Sequence, residues 1–450
     1  MRTRAVPHAP DGSPLIVLTG SHPTPGRDHI WWISFVSLTG FVLETRYGTP
    51  SMALCLGTWL LYIAAWPRRC LRWLRSYRLP WLLPAFAAIS PFWSIEPGIS
   101  AKLGIEFLLF TAAAIVAARA QTPRSLISSF MCALLVGVVL SAITRTQAAV
   151  GTTGEVALIG VFGSKNNLAN FVCLSMISSM SVLADPRQPV LLRALALVGL
   201  ALDPIMLIKA HSLGALFAGG GAVAAVLGIV MLSRLSRRQR NLAVPLLAIL
   251  AVGLGCILLV ALQQGFELSS ILAAAGKDTS LTGRTFLWSR ARQYIGMRPL
   301  LGVGYQAFWV QGHVEAEALW RFAQIRTRGG FHFHNLYYET AVELGEVGVA
   351  IMAVTLFTVA GSALWRGLTR PDSSTAFLCS LVVFYAIRVG VELDFLTPFS
   401  PGSLLLPVVW VYSRAGPQSA AMGIGSAVSA AAADMSTRLS GRANWMAHDA

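Results

Sequence analysis

Charge is scarce in this chain. Only 12% of its 450 residues are Asp, Glu, Lys or Arg, about half the share of an ordinary soluble domain. Mean hydropathy is +0.63, and no soluble enzyme has this balance. Acids are the rarer charge, 20 against 35 Lys and Arg, for a net charge of +15. On a soluble protein that excess would suggest nucleic acid. Here the arginines punctuate apolar runs, which points to a bilayer and to no nucleic-acid partner. Paired cysteines are also lacking. Of six, Cys55, Cys132, Cys173, Cys256 and Cys379 lie within apolar runs and Cys70 lies in a basic loop, with no C-x-x-C pair. That excludes a disulfide or zinc framework and leaves small packing residues. No motif recurs between the two halves, as it would in a transporter or flippase built from repeats. Residues 1–28 are polar and Pro-rich rather than a cleavable signal, so the first apolar run reads as an uncleaved anchor.

What the chain does have is apolar windows of bilayer length. About twelve are predicted: 30–45, 50–66, 79–93, 103–118, 126–143, 166–184, 190–208, 213–232, 242–262, 336–361, 376–391 and 402–413. The 79–93 and 402–413 windows are short enough to be re-entrant. The expected fold is all-α, a polytopic integral membrane protein. A cytoplasmic segment at 1–29 and a tail at 414–450, rich in Ala, Ser and Gly, are expected to be disordered. Arg68, Arg69, Arg72, Arg75 and Arg78 follow the second window, Arg119 and Arg124 the fourth, Arg187 and Arg193 the sixth, Arg234, Arg237, Arg238 and Arg240 the eighth, and Arg366 and Arg370 the tenth. Every second loop is therefore basic, which puts both termini in the cytoplasm and loop 263–335 on the exoplasmic side.

Loop 263–335 interrupts the apolar pattern and concentrates arginines and histidines, so chemistry is sought there. Thr282 can cap a helix over about 283–296. A second, amphipathic helix is predicted at 313–324 with Val314, Ala318, Leu319 and Phe322 on its apolar side. Basic residues on the exoplasmic side need a reason, and Lys102, Arg145, Lys165, Lys209, Arg284 and Arg388 all fall there. One reason is an anionic ligand, for which the arginine fork suits phosphate. The other is pairing with acids, open to Lys102 with Glu106 and Arg388 with Glu392, each at i, i+4. Arg284 has no acid close in sequence except Asp278, which favours the ligand. His334 can take a proton from an attacking hydroxyl, oriented by Glu339 or Glu343, with His332 as competitor and an interfacial histidine as the plain alternative. His211, after Lys209, has the same two readings. Gly160–Asn167 opens the sixth window, where a helix N-terminus offers amides to an anion. An Asn cap would explain Asn166 but not Lys165.

Four stretches resemble the O-antigen ligase and exopolysaccharide polymerase superfamily, with the ExoQ-type polymerases nearest. They are Ser90-Pro91-Phe92-Trp93-Ser94-Ile95-Glu96-Pro97; Gly163-Ser164-Lys165-Asn166-Asn167-Leu168; Leu281-Thr282-Gly283-Arg284-Thr285 with Trp288, Arg298-Pro299-Leu300-Leu301-Gly302-Val303-Gly304-Tyr305 and Phe308-Trp309; and His334-Asn335 with Glu343-Leu344-Gly345 and Gly348. The resemblance spans roughly 30–412 and implies an O-antigen ligase-like domain over 30–413. It implies transfer of a glycan from undecaprenyl diphosphate to a hydroxyl acceptor at the periplasmic face of the bacterial inner membrane. The acceptor is another repeat unit in polymerases and the lipid A core in ligases. Arg284 would bind the diphosphate and His334 would serve at the acceptor, with Lys165, Asn166, Lys209, His211, Arg388 and Glu343 in contact with substrate. Metal and cofactor are expected to be absent, because the leaving group is already a diphosphate. Polysaccharide chain-length or export proteins are the expected protein partners. Where the family carries Ser-Arg or Ser-Lys at the eighth span, this chain has His211-Ser212-Leu213-Gly214, so Lys209 or His211 would replace the base. Trp288, Tyr305, Trp309, Trp320, Tyr337 and Tyr338 are candidate faces for sugar stacking. A transporter, or a partner that binds lipid-linked glycan without turning it over, remains the reading of another class.

Overall fold

The computed structural model describes residues 27–150, 155–246, 283–325, 328 and 331–414. Eleven of the twelve apolar windows coincide with helix, while most of the ninth, 242–262, lies outside the described residues, as do 1–26 and 415–450. The helices are α1 (Arg27–Val42), α2 (Glu44–Tyr47), α3 (Thr49–Ala65), α4 (Pro67–Ser76), α5 (Leu82–Ile89), α6 (Pro97–Ala120), α7 (Pro123–Thr144), α8 (Lys165–Ala184), α9 (Val190–Lys209) and α10 (Leu213–Arg234). After them come α11 (Arg284–Met297), α12 (Val314–Phe322), α13 (Leu336–Thr369), α14 (Ser373–Arg388) and α15 (Pro401–Arg414). Two short antiparallel strands, β1 (Gln147–Val150) and β2 (Glu155–Leu158), join α7 to α8.

By length and composition, α6 to α10 and α13 can each cross a bilayer. The run α3–α4 bends by 110°, and α1, the Leu79–Phe92 stretch and α14 are shorter apolar helices. The chain is thus an all-α membrane protein. Among the described residues six helices are long and apolar enough to cross a membrane, or seven if the bent α3–α4 pair is one span.

Local chemistry sets the helix ends. Thr122 accepts from the Ser125 amide ahead of α7, with Pro123 at the first helical position. Asp372 and Thr375 form a reciprocal capping box at α14. Small residues let the inner helices approach closely. Ala112 to Ala118 of α6, Ala133 of α7 and Ala169 of α8 are all buried. Around this centre α8 packs on α9, α10 on α14, α1 on α7, and α15 on α6.

The polar loop forms a cover over one end of the bundle. Leu287, Ala291, Phe308, Leu319, Trp320 and Phe333 make its own small core. The buried side of α12 is Ala316, Leu319 and Trp320, whereas Val314 and Phe322 are 72% and 51% exposed. The predicted apolar side of this helix was therefore rotated, because Trp320 turns inward to the cover's core.

The cover is locked to the bundle through a helix break. Gly345 adopts φ 64, ψ −173 inside α13, a backbone region open essentially to glycine alone. The Val303 and Gly304 amides donate to the Val342 and Glu343 carbonyls at 2.9 and 2.8 Å. The Glu346 and Val347 amides donate in turn to the Pro299 and Leu300 carbonyls at 2.8 and 3.3 Å. The Pro299–Gly304 stretch thus satisfies the backbone groups a break would orphan. Residues 90–100 grip the same stretch. Trp93 Nε1 donates to the Leu301 carbonyl at 2.8 Å, and the Tyr305 amide donates to Ser90 Oγ at 3.0 Å. A Cβ at Gly345 would lie 2.2 Å from the Leu300 carbonyl carbon. Gly345→Ala is therefore expected to cost about 3 kcal/mol or more, from the forbidden backbone region and the clash together. The check is the thermal unfolding midpoint of the detergent-purified protein; an unchanged midpoint would show that the interlock contributes nothing to stability.

Candidate functional site

The site is assembled where α8, α11, α13 and α14 end on one face. Gly283, at φ +82, turns the chain so that Arg284 opens α11. Arg284 Nη2 donates to Glu392 Oε1 at 3.1 Å. Asn166 Nδ2, from the first turn of α8, donates to the same oxygen at 2.8 Å. Ser164, not Asn166, caps α8 by accepting from the Asn167 amide at 3.1 Å, and this leaves the Asn166 side chain for the site. Asn166 Oδ1 accepts from Ser212 Oγ at 3.3 Å.

His334 faces the other oxygen of the same carboxylate, its Nδ1 standing 3.8 Å from Glu392 Oε2. It holds φ +51, a left-handed backbone unusual for a residue with a side chain. Its amide donates to His332 Nδ1 at 3.0 Å, and the two rings stand 4.2 Å apart. Backbone contacts fasten this loop to the one after α14. The Leu336 amide donates to the Val389 carbonyl at 3.0 Å, and Asn335 Nδ2 donates to the Gly390 carbonyl at 3.0 Å.

Glu392 is thus the hub. Loss of water alone would raise its carboxyl, but the imidazole of His334 and the guanidinium of Arg388 more than reverse this and hold it down at about 2. It is a carboxylate at neutral pH. Burial disfavours charge on His332 too: loss of water, then the neighbouring His334 ring, push it down to about 3, with the guanidiniums of Arg284 and Arg388 adding to this despite Glu392. Its ring is neutral.

Several expectations change. Arg284 does have an acid, 108 positions away in sequence. Arg388 does not pair with Glu392 through its side chain. Its Nε and Nη2 reach buried Asp394 at 2.9 and 3.2 Å, and Asn170 Nδ2 donates to the same Asp394 at 3.1 Å. Only 4% exposed, Arg388 positions the loop instead of facing an open site. Neither Glu339 nor Glu343 touches His334. Glu339 accepts from Trp309 Nε1 at 2.8 Å and the Phe333 amide at 2.7 Å. Glu343, buried, accepts from Gln306 Nε2 at 3.3 Å and lies within the interlock. Tyr305 and Trp320 are core residues with no face for sugar; among the candidate aromatics Tyr337 keeps a large exposed surface. Lys165 is half-buried beside Asn166. Lys209 and His211 line another cavity, which none of Arg284, His334 and Glu392 lines. Sequence reading missed Glu392 as the point where Arg284, Asn166 and His334 converge, because its i, i+4 relation to Arg388 looked like simple neutralisation.

His332, His334 and Glu392 place ligand-type atoms within 4.8 Å of one another. The donor set does not fit a metal. His332 Nδ1 already accepts from the His334 amide, so its neutral ring carries the proton on Nε2 and has no lone pair to offer. Two ligands remain, fewer than the three or four a protein-held zinc takes.

An arginine and a histidine meet on one carboxylate, in a cover locked above a helical bundle. The chain is 32% identical over 388 residues to "Exopolysaccharide production protein ExoQ" of Rhizobium meliloti (strain 1021), covering 85% of this chain and 88% of that protein. Residues 196–353 match the O-antigen ligase family. The chain belongs to the O-antigen ligase and ExoQ family. It is a multi-pass bacterial membrane protein of the glycan-joining ligase or polymerase type, in polysaccharide production. Within the family stretches, Arg284 and His334 converge on Glu392, whereas Pro299–Tyr305 and Ser90–Pro97 hold the cover in place.

Proposed function

We propose that this chain transfers a glycan from undecaprenyl diphosphate to a hydroxyl of another repeat unit, polymerising exopolysaccharide at the periplasmic face of the inner membrane. The observation that carries the reading is the convergence of Arg284 and His334 on Glu392. With Nδ1 facing Glu392, His334 Nε2 takes the acceptor proton as the acceptor oxygen bonds to the anomeric carbon. The bond from that carbon to the diphosphate breaks, and its electron pair leaves on the phosphate oxygen. Arg284 keeps donors beyond the one given to Glu392, and these meet the developing phosphate charge. Glu392 stabilises the imidazolium that forms. Direct displacement inverts the anomeric centre.

The donor's hydrocarbon also has a place. A cavity of about 540 Å³ between α13, α14 and α15 is lined by apolar residues such as Met352, Leu356, Val389 and Phe395. It reaches Asn335 and Gly390, the pair that fastens the His334 loop. A polyisoprenyl chain seated there would present its diphosphate to Arg284. Similarity over 88% of its length to a protein named for exopolysaccharide production supports an exopolysaccharide product rather than a glycan joined to a lipid core.

Arg284→Lys keeps the charge and loses the fork. The expected loss is about 10²-fold in transfer, the weight of one charge-assisted bond. Polymer yield at matched protein level measures it, and wild-type yield would remove Arg284 from the site. The metal-free reading predicts that purified protein, given undecaprenyl-diphosphate glycan, polymerises at an unaltered rate in EDTA. Loss of activity restored by a divalent ion would overturn it.

A further inference from the structure

A second cationic cavity lies on the same face as the site and is not used by the transfer chemistry above. It measures about 340 Å³, between the ends of α7 and α9 and the β1–β2 hairpin. Arg145, Lys209 and His211 line its rim, and Leu202, Ile205 and Met206 line its wall. No carboxylate is among its lining residues. Arg145 and Lys209 form no ion pair among the described residues. The backbone aims this rim deliberately. Arg145 closes α7 at φ 48 and His211 follows α9 at φ 49, two left-handed residues with full side chains. The wall continues onto the outer side of α9, where Ile205 is 51% and Ile208 is 70% exposed. Cations above an apolar helix face suit an anionic head group carrying a hydrocarbon chain.

The cavity adjoins residues that are hydrogen-bonded to the transfer site. His211 precedes Ser212, whose Oγ donates to Asn166 Oδ1 at 3.3 Å, and Asn166 Nδ2 donates to Glu392 Oε1 at 2.8 Å. An amphiphile anchored here would have its sugar beside His334 while the donor is held at Arg284. We propose that this cavity binds the phosphate head group of a second lipid-linked glycan, the acceptor, so that donor and acceptor occupy two separate phosphate sites on one chain. The proposal rests on the transfer reading for the word acceptor, but not for the existence of the second site.

The test is titration of the full-length, detergent-purified protein with undecaprenyl phosphate, followed by native mass spectrometry. Two bound equivalents are expected. Arg284→Gln should remove one, and the double variant Arg145→Gln, Lys209→Gln should weaken the other by at least about tenfold, the low end of what one charge-assisted bond contributes. A single equivalent that ignores the double variant would overturn the second site. Phosphatidylglycerol displacing the second equivalent at equal concentration would assign the cavity to bulk lipid and overturn the acceptor role. In a transfer assay, the double variant should raise KM for a lipid-linked acceptor with little change in kcat or in donor KM. An equal rise for a phosphate-free saccharide acceptor would show that the cavity does not read phosphate. Two equivalents bound by a protein that transfers nothing would support the second site and count against the transfer reading instead.

Discussion

His334→Ala is expected to lower glycan transfer by about 10²–10⁴-fold, the usual contribution of a general base, while donor binding survives. The imidazole faces Glu392, with Nδ1 3.8 Å from Oε2, and lies outside the interlock of the cover. His332→Ala makes the control. Its ring is held neutral, with a value pushed down to about 3, and its Nδ1 is occupied by the His334 amide. It supports the turn without taking a proton, so its loss should be much milder. Initial rates with purified protein and defined donor decide between them. If His332 is essential and His334 dispensable, the base has been assigned to the wrong ring.

The second large effect belongs to Glu392. Glu392→Gln keeps the volume and an oxygen for Arg284 and Asn166, but removes the charge that stabilises an imidazolium. We expect kcat to fall about 10²–10³-fold, somewhat less than a catalytic triad loses when its acid becomes an amide. Donor binding should hold or tighten, because Arg284 then faces a neutral amide oxygen in place of the carboxylate it meets at 3.1 Å. A rate loss explained wholly by less folded protein, with normal turnover per folded molecule, would reduce Glu392 to a structural role. The carboxyl sits at about 2 in the folded chain, below the ordinary carboxylate range. Its charge is therefore present throughout neutral pH and is lost only as pH falls through that low value. A limb in the rate profile between about pH 5 and 8 cannot be Glu392 and would report another group.

Much of this was legible in the sequence. Bilayer-length apolar windows marked the helices, because a chain in lipid must satisfy its backbone internally. Arg284 and His334 stood out because charge is rare in this chain and concentrates in one loop. The hidden part was long-range pairing. Arg284 meets an acid 108 positions away, and Arg388 passes over Glu392 at i+4 for Asp394 at i+6. Sequence spacing assumes a continuing helix, and α14 stops at Arg388. Glu343 misled for a related reason. Its side chain lies beside the break at Gly345, bonded to Gln306.

That break gives α13 two duties in series. Residues 336–344 belong to the cover, while residues 346–369 form a stretch of about 36 Å at 1.5 Å per residue, enough for a hydrocarbon layer. The height of the reacting groups above the lipid is therefore set by counting residues, not by any single contact. One residue added just after Gly345 would turn the lower stretch by about 100° against the upper and lift it by 1.5 Å, moving the apolar cavity out of line with Arg284. The segment behaves as a ruler. Side chains along its lipid-facing side can be exchanged, but its length cannot.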